Sequence, residues 1–228
     1  MPVLPLTKRG RRGTSGHRLG SVKRLVALLL LVCAAVAAPA RAEAPPVILP
    51  SALMLSARDV PGFAHSKRET AWSTSALAWA RENSGSRSQA AQEAAALLRH
   101  GFQEAVLTYF RGRRESRGLF QEAVAEARVF ATAAGAEQEL ANSVAGAVKA
   151  WPAAGLRQST IAAIPGSHTL GAFVAGQRGA TENVMFASAR CFFVIGDSIH
   201  GARTRAQAER APVTAAIRLY GRSKQLCR

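Results

Sequence analysis

The sequence predicts an α+β fold: a mainly antiparallel β-sheet with about three packed α-helices, in a single domain. Three observations carry this expectation. Apolar segments with strand character follow one another at hairpin spacing, as in Asn183–Ala187 and Cys191–Ile195. Ala-rich segments with helical periodicity stand between the strands, as in Ala133–Trp151. The resulting order is strand-helix-strand-strand-helix-strands-helix, and no internal repeat is visible.

The fold is expected to start only after a leader. Lys8, Arg9, Arg11, Arg12, Arg18, Lys23 and Arg24 precede an apolar run from Leu25 to Ala38, and Ala40-Arg41-Ala42 has the small-x-small pattern of a cleavage site. Residues 1–42 therefore read as a signal peptide, and the rest as secreted or otherwise extracytoplasmic. The apolar run is shorter than the roughly 20 residues that span a bilayer, so no transmembrane segment is expected in the mature chain. Val32 before Cys33 is not the small residue a lipobox needs. Arg11-Arg12 lies far from the apolar core for a twin-arginine signal, and Sec export is the plainer reading.

Removing residues 1–42 leaves 186 of the 228 residues, the length of one domain. The leader holds eight of the 30 Lys and Arg and none of the 14 acids, so the formal charge of +16 becomes 22 against 14, or +8. That excess suits anionic envelope polymers or lipid headgroups as partners, or simply a soluble Arg-rich surface.

Residues 43–52 are expected to form an extended leader, because Pro45, Pro46 and Pro50 oppose a helix. The domain is placed at 53–228. Ala64–Trp72 reads as a strand and Ser73–Gly85 as a loop. Ser86 and Gln89 have capping-box spacing, and the helix after them puts Ala90, Ala94, Leu97 and Leu98 on one face before Gly101 ends it. Phe102–Arg111 has two apolar faces, as a central strand does, with Val106, Thr108 and Phe110 on one and Ala105, Leu107 and Tyr109 on the other. Leu119–Phe130 is ambiguous, with strand preferred for Val124–Thr132. The next helix, Ala133–Trp151, shares Ala136, Leu140, Val144, Ala147, Val148 and Trp151 on one face, and Pro152 stops it. Ile161–Ala175 reads as short strands broken at Pro165-Gly166. A hairpin with Ser188-Ala189-Arg190 as its link follows. Pro212 opens the last helix, with Val213, Ala216, Ile217 and Tyr220 facing inward.

Cys33 leaves with the leader, and Cys191 and Cys227 remain. An even pair in an oxidising compartment predicts a disulfide from a strand to the C-terminal tail; two free thiols are the alternative.

Leu53–Phe63 with Asp-Val-Pro-Gly-Phe, Val129–Leu140 with Phe-Ala-Thr-Ala-Ala-Gly-Ala-Glu, and the Asn183–Ile195 hairpin leading into an Ala-rich helix carry a family likeness. On them the chain resembles secreted or lipid-anchored α+β proteins of actinobacteria and similar high-GC bacteria, of the LpqN-type lipoprotein and extracellular sensor-domain kind. The resemblance spans most of the mature chain and departs from the lipoproteins in lacking a lipobox. It implies fold and location, and no site residue comes with it.

Chemistry-bearing patterns are few. Gly196-Asp197-Ser198-Ile199 mimics the nucleophile block of GDSL-type hydrolases, but no Asp-x-x-His follows it. Asp59 and Asp197 are the two aspartates of the chain, and His200 is too close to Ser198 to act as its base. A turn closing the hairpin strand explains the block better, so no catalytic residue is assigned. His65, His100, His168 and His200 are isolated in sequence, so no metal site and no cofactor are expected. Arg111, Arg113, Arg114 and Arg117 form the densest basic cluster, a candidate anion-binding site beside the simpler reading of a solvated turn. Interleaved aromatics are absent from it, which argues against nucleic acid. The expected function is thus a non-enzymatic extracytoplasmic binding or envelope-associated domain. The alternative is a secreted hydrolase with a spatially assembled site, which needs Asp197, Ser198, His168 and His200 to converge.

Overall fold

The computed structural model describes residues 50–60, 62–65, 71–112, 120–150, 156–174, 179–200 and 205–228. The predicted signal segment, the leader up to residue 49, and Trp151 lie outside them. Five helices and eight strands occur among the described residues. Helix α1 (Pro50–Leu53) is followed by the short strands β1 (Phe63–His65) and β2 (Ala71–Ser73). Then come α2 (Ala76–Asn83), α3 (Arg87–Arg99), β3 (Phe102–Gly112), β4 (Phe120–Phe130) and α4 (Ala133–Ala150). Strands β5 (Leu156–Ile161), β6 (Ile164–Val174), β7 (Gly179–Ser188) and β8 (Cys191–His200) form a meander, and α5 (Arg205–Leu226) ends the chain.

The strands make one eight-stranded sheet in the order β1-β3-β4-β8-β7-β6-β5, with β2 on the same edge of β3 as β1. Every pairing in it is antiparallel. The fold is the α+β arrangement the pattern predicts. Side chains directly opposite in an antiparallel sheet share a face, so the register sorts the core into two layers. On one face Val184, Phe186, Phe193, Ile195 and the alanines of β4 pack under Ala215, Ala216 and Leu219 of α5. On the other, Leu107, Phe130, Met185 and Phe192 pack under Trp79, Leu97 and Leu140 from α2, α3 and α4. Helix α5 lies over β7 and β8, and its Ala211, Ala215 and Ala216 let helix and sheet approach closely.

Ser86 caps α3 as expected, its Oγ accepting from the Gln89 amide at 3.2 Å. Gly101 follows that helix with φ +80°, which only glycine adopts without strain. Other expectations need correction. Residues 76–83 form a helix rather than a loop, started by Ser75, whose Oγ accepts from Ala78 N, and anchored by the buried Trp79. Pro50 begins α1 inside the expected extended leader; proline at a first helical position removes no helix bond. The Ala64–Trp72 segment is two strands, β1 and β2, with residues 66–70 outside the description. Strand β4 is longer at its start than expected and stops at Phe130, because Thr132 Oγ1 accepts from Gly135 N and begins α4. Its Ala and Glu content favours helix, and pairing on both sides overrides that.

Pro165-Gly166 does not break the β5–β6 region. The chain turns at Ala162-Ala163, and Pro165 sits in a register irregularity of β6 where no ladder N–H is required. Helix α5 begins seven residues before Pro212, which lies inside it. Leu98 is 65% exposed and Ile217 42% exposed, so neither joins its predicted apolar face. Each is about 100° around the helix from a neighbour that is buried or faces the core side. The hairpin link is Ala189-Arg190 alone, with Ser188 paired to Cys191.

Candidate functional site

The Gly-Asp-Ser block is not a turn. It lies flat in β8, between β4 and β7. Asp197 pairs with Glu182 of β7 on one side and Ala123 of β4 on the other. Glu182 in turn pairs with Gly171 of β6. Both carboxyl side chains therefore sit on the α5 face, flanked by the two smallest kinds of residue, and both are buried, Asp197 to 3% exposure. A Cβ at Gly171 would collide with Glu182 Oε2, so the missing side chain is what gives the Glu182 carboxyl its place.

Neither carboxyl oxygen of Asp197 has a hydrogen-bond partner among the described residues, and the same is true of the buried Thr169 hydroxyl two residues from Gly171. Burial, followed by the charge of Glu182, pushes the Asp197 carboxyl up to about 8; the Glu182 backbone amide, beyond hydrogen-bonding geometry, opposes this only in part. At pH 7 Asp197 keeps its proton. The pair can hold and release one proton inside the fold.

The residues a hydrolase would need do not gather around it. His168 pairs with Met185 and belongs to the opposite face of the sheet, three positions along β6 from Gly171. Ser198 pairs with Thr181 and Glu122, and His200 with Gly179 and Phe120. His65 lies at the far edge, opposite Phe110.

A second charged group lies under α3 and α4. The guanidinium of Arg128 on β4 bonds Glu126 and Glu139 and lies 3.8 Å from Glu93, with its carbon 5.6 Å above the Phe192 ring. Burial would lower the Arg128 pKa, but Glu126 and Glu139 more than offset this and raise it. Glu139 also meets His100 Nδ1 at 3.0 Å and accepts from Ser143 Oγ at 3.3 Å. His100, the C-cap residue of α3, is thus a partly buried partner of α4. The arrangement ties β4, α3 and α4 together, and among the described residues no group of three metal-ligating side chains occurs.

Of the basic cluster, Arg111 is on β3, exposed and paired in register with Glu122. Arg113, Arg114 and Arg117 lie outside the described residues. A disulfide joins Cys191 at the start of β8 to Cys227 after α5, with Cα atoms 5.7 Å apart and both residues fully buried. No helix among the described residues is long and apolar enough to cross a membrane.

Sequence reasoning missed the acid pair. The sequence pattern puts Asp197 in a turn and gives Glu182 no distinguishing mark. The signal was available in the hairpin itself, since its register brings the two together once the turn is known to have two residues.

No family model matches the chain. No curated protein matches it either, and the LpqN-type likeness gains no support. Among solved structures, the chain is similar to the extracellular domain of PknH from Mycobacterium tuberculosis, at 12% identity and a TM-score of 0.48, over 78% of this chain and 100% of that one. No residue role is taken from it.

Proposed function

We propose that the chain is an exported, non-enzymatic binding domain that works outside the cytoplasm and takes an anionic ligand. In this reading residues 1–42 are the signal peptide, 43–52 a leader and 53–228 the working domain. The observation that carries the choice of binding over hydrolysis is the placement of Asp197. It is buried in a central strand beneath α5, on the face opposite His168, where it cannot orient a base for a serine nucleophile. The buried Cys191–Cys227 link supports an oxidising compartment.

The ligand site we favour is the sheet end where β3 stops at Gly112, β4 starts at Phe120 and β8 stops at His200, beside Arg111. Arg113, Arg114 and Arg117 follow it in sequence. Arginine suits phosphate and carboxylate groups because its donors form a planar fork. The test is sedimentation with anionic vesicles, neutral vesicles and a soluble acidic polymer at rising salt. Salt-sensitive binding to either anionic probe, lost when Arg111, Arg113, Arg114 and Arg117 are all changed to Ala, is expected. Unchanged binding by that variant, or none to any probe, would end the proposal. Ester hydrolysis abolished by Ser198→Ala in a folded protein would favour the hydrolase.

A further inference from the structure

Helix α5 has two sides of different chemistry. Its inner side lies over β7 and β8, with Ala215, Ala216 and Leu219 buried and the Tyr220 ring edge-on to Phe186 at 5.8 Å. At about 100° per residue, Arg210, Ile217, Arg218, Gly221 and Lys224 fall on the opposite side, within an arc of about 120°. All five are exposed.

Packing within the chain does not account for this outer side. Its charge has one sign: from Arg210 to Arg228 the sequence holds five basic residues and no Asp or Glu. Asp59 meets the helix from outside, but at Arg222, which lies beyond the arc. Ile217 is 42% exposed among the cations. Gly221, one turn on, weakens a helix interior, yet a Cβ there would meet nothing within 4 Å among the described residues.

Bare backbone beside an exposed isoleucine lets a helix come close to a surface. That surface must be anionic, because a second α5 would bring like charges together. It must also be broad. Residues 210–226 run about 25 Å along a convex helix, which matches a plane of phosphates better than one small anion. The Cys191–Cys227 link and the Arg218 bond to the Arg58 carbonyl hold the helix in place before contact, so little ordering is required.

We propose that the outer side of α5 lies flat on an anionic lipid bilayer, with Arg210, Arg218 and Lys224 at the lipid phosphates and Ile217 against the headgroup layer. The proposal rests on the anion-binding reading and gives it a lipid partner and an orientation. Helix α5 begins at the sheet end where Arg111 lies. Each cation near an anionic bilayer strengthens binding about fivefold, so three add about a hundredfold to what the sheet end supplies.

Two measurements on the purified chain test it. One is sedimentation with vesicles of equal parts phosphatidylglycerol and phosphatidylcholine, and with phosphatidylcholine alone. The other is fluorescence anisotropy of labelled polyglutamate. Changing Arg210, Arg218 and Lys224 together to Gln should weaken binding to the mixed vesicles about a hundredfold, while polyglutamate binding changes by less than about fivefold, the worth of one charge. Gly221→Glu meets no steric obstacle and should also weaken vesicle binding about fivefold or more, which keeps the test open if the triple variant does not fold. Undiminished vesicle binding by either folded variant, equal losses on vesicles and polymer, or a parent that binds polymer but no vesicle would each overturn lipid docking and leave the sheet-end site standing. A parent that binds no probe ends both.

Discussion

His100 Nδ1 lies 3.0 Å from Glu139 Oε2, so the residue that ends α3 is bonded to the second turn of α4. Glu139 uses its other oxygen for Arg128. One carboxylate thereby links two helices to the sheet strand beneath them, and the strength of the link rests on the guanidinium being present.

Arg128→Ala should therefore be severe. It leaves Glu139 and Glu126 without their cation in a dry setting, and breaking a buried pair in this way costs about 3–5 kcal/mol. Arg128→Lys should lose less than the alanine variant and still be destabilised, since an ammonium cannot reproduce the fork to both carboxylates. Urea unfolding of the three proteins checks the order.

Asp197 predicts an unusual pH profile. Its folded pKa, about 8, lies far above the unfolded carboxylate value of about 3.9, so the unfolded chain binds fewer protons between these limits. Stability from this group is full below pH 4, falls as pH rises, and levels off above pH 8. The total change is about 6 kcal/mol when no other group titrates. Urea midpoints from pH 5 to 9 should fall and then flatten, and Asp197→Asn should remove most of the slope.

Asp59 acts with the opposite sign. Burial alone would raise it, but the amide and hydroxyl of Ser56 and the Arg222 guanidinium outweigh this and hold it below the usual value. Its contribution is present at neutral pH and is lost as pH drops below 4. The Asp59 side chain is partly buried but that of its partner Arg222 is 40% exposed, so solvent screens the pair and Asp59→Asn should cost about 1 kcal/mol at pH 7. The difference from the parent should vanish near pH 2, as read from thermal midpoints.

Neighbouring leucines on α3 should behave very differently. Leu97 is fully buried and Leu98 is 65% exposed. Leu97→Ala should lose about 2–5 kcal/mol, whereas Leu98→Ala should stay within about 0.5 kcal/mol. Denaturant midpoints of both variants decide it.

Cys227→Ser opens a link between positions 36 residues apart and should lower the unfolding free energy by about 2–5 kcal/mol. Alkylation of the parent without reduction, followed by intact mass, is the companion check. Labelling of both cysteines would show that the link does not form in solution.

The long elements were legible in the sequence because local and tertiary signals agree in them. Strand β3 has two apolar faces and α4 has a clean stripe from Ala136 to Val148. Where they disagree, the reading strayed. Strand β4 is rich in Ala and Glu and becomes a strand only through neighbours on both sides. Helix α2 is eight residues long, too short for its periodicity to stand out, although Ser75 marks its start. The acid pair was hidden by one residue of turn length. A three-residue link at 188–190 would set Asp197 opposite Thr181; the two-residue link sets it opposite Glu182 and on the other face.

The strand order carries a consequence for how the chain can be assembled. The first half contributes β1 to β4 as one block and the second half β5 to β8 as another, and β4 with β8 is the seam between them. Until β8 has emerged, β4 presents a long unpaired edge with the alanine-rich surface of Ala123, Ala125 and Ala127 beside it. Vectorial folding can therefore complete each block but not the sheet, and any fragment ending before Cys191 exposes a strand ready to pair with another copy. The late arrival of β8 makes the last sixth of the chain the part that protects the first half from self-association.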